Sequence, residues 1–277
     1  ASLTRACAAL TVLALVGCGG GSSSTSSAIG GIGGTGFKGP VSGAAVAAYS
    51  INNGSMGSQI SSGTTDAQGN FNLSMGSYAG AVMLQLSGGT YTDEATGTAM
   101  AMASGNVMTA VLPFMAAGAM ISGIQLTPLT SMAQAAAQHM TGGMTDANIA
   151  TANTAVGGYF SVTDILHTTP MNPLVSGSGT GATQDMMNYG MTLAAMSQYA
   201  KAQGMNSSSA IVTAMMGDAA DGTMDGKMSG ASVMMGGMGG MGSGMGVAMP
   251  FDAGTAGLSA AMNAFIANLS QNKSGVT

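Results

Sequence analysis

Apolar positions recur with two different periods along this chain. Between Phe37 and about Ile124 the period is two: Phe71, Leu73 and Met75 alternate with polar residues, as do Val82, Leu84 and Leu86, and then Thr98, Met100 and Met102. Such alternation predicts short strands with one face buried. Asp66-Ala67-Gln68-Gly69-Asn70 falls between two of these runs and carries turn chemistry, because Asp and Asn side chains bond nearby backbone and Gly accepts positive φ. Beyond Gln125 the period lengthens to about 3.6 and helix-start signals appear. Thr127 before Pro128 predicts an N-cap and first helical position, with Leu129, Met132, Ala136 and Met140 on one face. Thr145-Asp146 opens a second helix, carrying Ile149, Ala152 and Val156; Thr183 with Asp185 opens a third, which stops at Gly204. Ser207 starts a fourth, and Leu258, Met262, Phe265, Ile266 and Leu269 form the stripe of a last one. The predicted class is α+β: an antiparallel β-sandwich over residues 37–124, then an α-helical bundle over 125–277 interrupted by a Gly/Met-rich loop at 228–249. Each half needs a second layer to cover its apolar face.

Ahead of the strands, Arg5 is followed by an apolar run from Ala6 to Val16 and by Gly17-Cys18. A cation, a short apolar stretch and small residues at its end are the three parts of a secretory signal, and the run is too short to span a bilayer. Leu15-Val16-Gly17-Cys18 resembles the cleavage box of bacterial lipoproteins. That resemblance implies removal of residues 1–17 and acylation of Cys18, which would tether the chain to a membrane; several acyl chains make a stable anchor where one is marginal. Gly19 follows where such proteins often carry Asp when kept in the inner membrane, so the resemblance points to the outer one. From Gly19 to Gly36 the sequence is mostly Gly, Ser and Thr, which predicts a flexible spacer over 18–36. Gly31-Ile32-Gly33-Gly34-Thr35-Gly36 spells the dinucleotide fingerprint, but without the strand before it and the helix after it that the chemistry requires.

Composition narrows the function classes. The chain has 277 residues with 46 Gly, 28 Met, no Trp and a net charge of −5, a balance that excludes the basic patches nucleic-acid binding needs. Of its two cysteines, Cys7 lies within the predicted leader and Cys18 is its acylation point, leaving no thiol for catalysis or a disulfide.

Two segments of the strand region resemble the carboxypeptidase-regulatory, transthyretin-like sandwich of bacterial surface lipoproteins. They are Gly39-Pro40-Val41-Ser42-Gly43-Ala44-Ala45-Val46, similar to the family's opening strand, and Thr65-Asp66-Ala67-Gln68-Gly69-Asn70-Phe71, similar to its hairpin. The resemblance implies a stabilising or adhesive module without catalytic residues. The helical part, through Leu126-Thr127-Pro128-Leu129-Thr130, Ala152-Asn153-Thr154-Ala155-Val156 and Asp221-Gly222-Thr223-Met224-Asp225-Gly226-Lys227, is similar to a region that follows such sandwiches in uncharacterised proteobacterial lipoproteins.

Candidate chemistry is thin. Met234, Met235, Met238, Met241 and Met245 recur among Gly and Ser, and thioethers on a pliable loop suit Cu(I). Against that stands methionine's ordinary service as adaptable core filler. Asp218, Asp221 and Asp225 lie within eight residues of one another and could serve Ca²⁺, although their spacing is not that of an EF-hand loop; a solvated turn ending a helix is the alternative. His139 and His167 are the imidazoles, the latter near Asp164, with no nucleophile marked by its neighbours and no hydrolase, zinc or Walker motif. The expected role is a lipid-anchored, non-catalytic envelope component that binds a protein or glycan, with Cu(I) binding as a second reading and a hydrolase as a third.

Overall fold

The computed structural model describes residues 29–205, 207–236 and 246–277. Nine strands come first: β1 (Gly30–Gly36), β2 (Ala45–Asn52), β3 (Ser55–Thr64), β4 (Asn70–Gly76), β5 (Gly80–Ser87), β6 (Thr90–Thr92), β7 (Ala99–Ala101), β8 (Val107–Met115) and β9 (Met120–Leu126). Three of them form a sheet in the order β4-β1-β9, and four form another in the order β3-β2-β5-β8. All pairings between these strands are antiparallel except that of β1 with β9, which is parallel. The inner faces of the two sheets share one core, built from Ile32, Phe71, Leu73, Met75, Val82, Leu84, Leu86, Ala110, Ile124 and Leu126. The alternation read from the sequence is therefore real: β4 buries Phe71, Leu73 and Met75 and exposes the residues between them.

β1 corrects the spacer reading of residues 18–36. Over 30–36 the chain is the central strand of the three-stranded sheet, hydrogen-bonded on both sides. Its glycines permit this. A Cβ on Gly34 would sit 2.0 Å from the Ile124 carbonyl oxygen, and one on Gly36 would sit 2.2 Å from a Leu86 methyl. Side chains are absent here because neighbouring main chain and core occupy their places.

Five α-helices follow: α1 (Pro128–His139), α2 (Asp146–Tyr159), α3 (Gln184–Ala202), α4 (Ser209–Ala219) and α5 (Leu258–Ala267). β9 runs straight into α1 through Thr127, whose hydroxyl accepts from the Thr130 amide while the Thr130 hydroxyl accepts from the Thr127 amide, a reciprocal cap. Tyr189, fully buried on α3, accepts a 2.5 Å hydrogen bond from the Thr127 hydroxyl and donates to the Ile165 carbonyl. Thr145 and Thr183 cap α2 and α3 in turn.

α1 and α2 cover the outer face of the four-stranded sheet, because Met83 of β5 and Val111 of β8 point away from the sheet interior into a core with Leu129, Met132, Ala133, Ile149 and Ala152. β5 and β8 are consequently buried on both faces, which is why their burial is continuous rather than alternating. Two short hairpins, β10 (Lys227–Met228) with β11 (Ala231–Ser232) and β12 (Met234–Met235) with β13 (Val247–Ala248), connect α4 to a π-helical turn at Ala253–Gly257 that leads into α5. Leu269, placed by the sequence on the last apolar stripe, is 75% exposed because α5 stops at Ala267.

Candidate functional site

A fully buried set of polar groups lies where the strands meet α3 and α4. After β1 the chain reverses at Phe37-Lys38-Gly39-Pro40. Gly39 has φ of +60°, and a Cβ there would lie 2.5 Å from the Thr92 carbonyl oxygen, so glycine lets this turn press against β6. The approach drives Lys38 inward beside Tyr91, Asp93 and Glu94, and all four are 2% exposed or less.

The Lys38 ammonium donates to Glu94 Oε2 at 2.8 Å, to the Ser197 hydroxyl, and more weakly to Ser208 Oγ at 3.4 Å. Ser197 Oγ in turn donates to Glu94 Oε2 at 2.5 Å. Ser208 Oγ donates to Asp93 Oδ2 and bonds the Tyr91 hydroxyl at 3.0 Å, while the Tyr91 ring lies 5.6 Å below the ammonium. The other Asp93 oxygen accepts from the Ala95 and Thr96 amides and the Thr96 hydroxyl. Glu94 Oε1 is buried and has no hydrogen-bond partner among the described residues. Two serines, one in mid-α3 and one at the start of α4, thus tie the helices to a charge pair carried by the strand region.

Electrostatics favour the charged forms. Burial alone pulls the Lys38 pKa down, but Glu94, Asp93 and Tyr91 together outweigh it and hold the ammonium above its ordinary value. Burial pushes Asp93 up, and Lys38 with the Ser208 and Thr96 hydrogen bonds brings it below the usual carboxylate range. A lysine held charged is no general base, so as it stands this set is a closed ionic network.

The residues singled out from sequence are dispersed. Met235 is buried at 4% exposure while Met234, one place earlier on the same strand, is 46% exposed, so β12 points the two sulfurs to opposite sides. That separates the first two of the five proposed Cu(I) ligands; Met238, Met241 and Met245 lie outside the described residues, as does Cys18.

The Ca²⁺ reading of Asp218, Asp221 and Asp225 meets a correction. Asp218 Oδ1 accepts from the Asp225 and Gly226 amides, Asp221 serves Thr223 and the Ser229 amide, and Asp225 serves the Lys227 amide. Each carboxylate caps a turn, and no group of three His, Cys, Asp or Glu arranged to hold a metal occurs among the described residues. Asp218 is fully buried, its Oδ2 has no partner among the described residues, and burial raises its pKa against the lowering pull of the amides.

His139 is exposed, with Nε2 3.2 Å from Ser229 Oγ. His167 Nδ1 meets Asp164 Oδ2 at 2.8 Å on the surface, without a serine bonded to the ring among the described residues. Sequence reasoning missed Lys38, Asp93, Glu94, Ser197 and Ser208. The signal available was scarcity: Glu94 is the chain's one glutamate, it follows Asp93 directly, and Lys38 is one of five cations.

What these observations define is a mixed α+β chain with a sealed charge cluster at its centre. No family model matches it, and no curated protein matches it. Among solved structures, a 9R-lipoxygenase from Cyanothece PCC8801 superimposes with a TM-score of 0.23 and 12% identity, over 36% of this chain and 16% of that one. An overlap of that quality carries no argument about fold or activity.

Proposed function

We propose that this chain is a lipid-anchored, non-catalytic protein of the bacterial cell envelope, a β-sandwich followed by a helical bundle, held to the outer membrane through Cys18 and acting by binding an envelope protein or glycan. The observation that carries the reading is the run Ala6–Val16 ending in Gly17-Cys18 after Arg5, which has the length and polarity of an excised leader and ends in the one residue that acyl transfer requires. Two features agree with it. No helix among the described residues is long and apolar enough to cross a membrane. The most strongly coupled ionisable groups are also turned on one another inside the protein, away from any solute.

The test is metabolic labelling with an alkyne fatty acid in a bacterial host, followed by membrane fractionation and mass spectrometry of the mature N-terminus. Wild type should carry label on a chain beginning at Cys18 and sediment with membranes. Cys18→Ser should lose the label and remain unprocessed. Recovery of wild-type chains that retain residues 1–17, or that begin at an unmodified Cys18, overturns the proposal.

A further inference from the structure

We propose that Lys38 and Glu94 condense to form an intramolecular amide, a covalent staple joining the turn after β1 to the loop after β6. The reasoning rests on how the two side chains are confined and does not depend on the lipid-anchor reading. Lys38 Nζ and Glu94 Oε2 are 2.8 Å apart with both residues fully buried, so the amine and the carboxyl group meet in a site closed to water. Holding an amine and a carboxyl group in contact raises their effective concentration, up to about 10⁵–10⁸ M where the attacking atoms are aligned.

The surrounding groups match the needs of acyl transfer. Ser197 Oγ accepts from Lys38 Nζ and donates to Glu94 Oε2, which makes it a relay for a proton leaving nitrogen toward that oxygen. Glu94 Oε1 is bonded to nothing among the described residues, and is the oxygen left behind as the amide carbonyl. Ser208 bonds Lys38 Nζ on one side and Asp93 Oδ2 on the other, which helps hold the amine in place. Tyr91 holds Ser208 in that position through its hydroxyl.

The step balances without any co-reactant. One proton passes from the ammonium to Oε2, 2.8 Å away, giving amine and carboxylic acid. The nitrogen lone pair then forms the N–Cδ bond, and Oε1 carries the charge. A second proton leaves nitrogen through the Ser197 hydroxyl, which accepts from Nζ and donates to Oε2, the Cδ–Oε2 bond breaks, Oε1 becomes the amide carbonyl, and one water departs. The amide keeps the third hydrogen, and nothing is oxidised or reduced. An ion pair buried at a cost in desolvation becomes a neutral bond.

The experiment is intact-mass measurement and peptide mapping of the purified, folded full chain after prolonged incubation. Wild type should weigh one water less than its processed sequence. Trypsin, after denaturation, should fail to cut at Lys38, and fragmentation should place the branch between Lys38 and Glu94. Lys38→Arg keeps a cation against both carboxylates but lacks the nucleophilic amine, so it should show the full mass. Ser197→Ala removes the relay and should slow the conversion at least tenfold. Full mass and quantitative cleavage after Lys38 in wild type overturn the proposal, whatever the variants do. A missing water that persists in Lys38→Arg also overturns it, by locating the dehydration elsewhere.

Discussion

Gly34→Ala asks whether the glycine-rich segment over 30–36 is structural. The added carbon would lie 2.0 Å from the Ile124 carbonyl oxygen, 2.8 Å from its carbonyl carbon and 2.8 Å from Phe71 Cζ. Ordinary contact distances for such atoms are about 3.5 Å, so β9 must retreat by more than an ångström along a stretch where it is paired with β1. Phe71 can swing; a main-chain carbonyl in a sheet cannot. Overpacking of this kind costs about 1–3 kcal/mol when side chains give way, and a backbone obstacle places the expected loss at about 3 kcal/mol. For a chain of this size that corresponds to a fall in Tm of about 6–12 °C. Thermal unfolding followed by far-UV circular dichroism measures it. Gly158→Ala is the internal control, because that site in α2 has no atom within 4 Å of the new methyl and should gain up to about 1 kcal/mol. A Gly34→Ala protein that melts with wild type shows that residues 30–36 do not pack between β4 and β9, and the strand assignment falls with it.

Two further outcomes follow from the polar interior. Asp218 has a raised pKa in the folded state, so its contribution is fully present below the unfolded carboxylate pKa of about 4 and is lost as pH rises through the folded value. Asp218→Asn keeps the acceptor for the Asp225 and Gly226 amides without the charge, so it should be at least as stable as wild type at pH 7 and show a flatter stability profile from about pH 4 upward; urea midpoints at several pH values decide this, and an unchanged profile refutes it. Thr127→Val removes both the cap of α1 and the donor to Tyr189, for an expected loss of about 1–2 kcal/mol in urea unfolding, and a loss below a few tenths would show the cap to be idle.

Helix starts were legible because each is announced by adjacent residues. Thr127, Thr145 and Thr183 all cap where the sequence places them, and the fourth start is displaced by one, to Ser208, which makes no side-chain cap bond. Phe71, Leu73 and Met75 were legible because one face of β4 meets solvent. β1 was not, since its glycines encode proximity to other strands instead of apolarity, and composition alone cannot separate a strand stripped of side chains from a tether. The Lys38 cluster was illegible for a different reason: its hydrogen bonds join residues 56, 159 and 170 positions apart, and no local pattern reports such a meeting. Met234 and Met235 look equivalent in sequence, yet the strand exposes the first and buries the second.

The parallel union of β1 with β9 sets an order of events during synthesis. Gly31 pairs with Met120 and Gly36 with Leu126, so one flank of β1 has no mate until about ninety further residues have left the ribosome. The growing chain must carry that bare flank past every intervening hairpin, and its poverty in side chains then acquires a second meaning: a glycine strand offers a stray partner main chain but little apolar surface to grip.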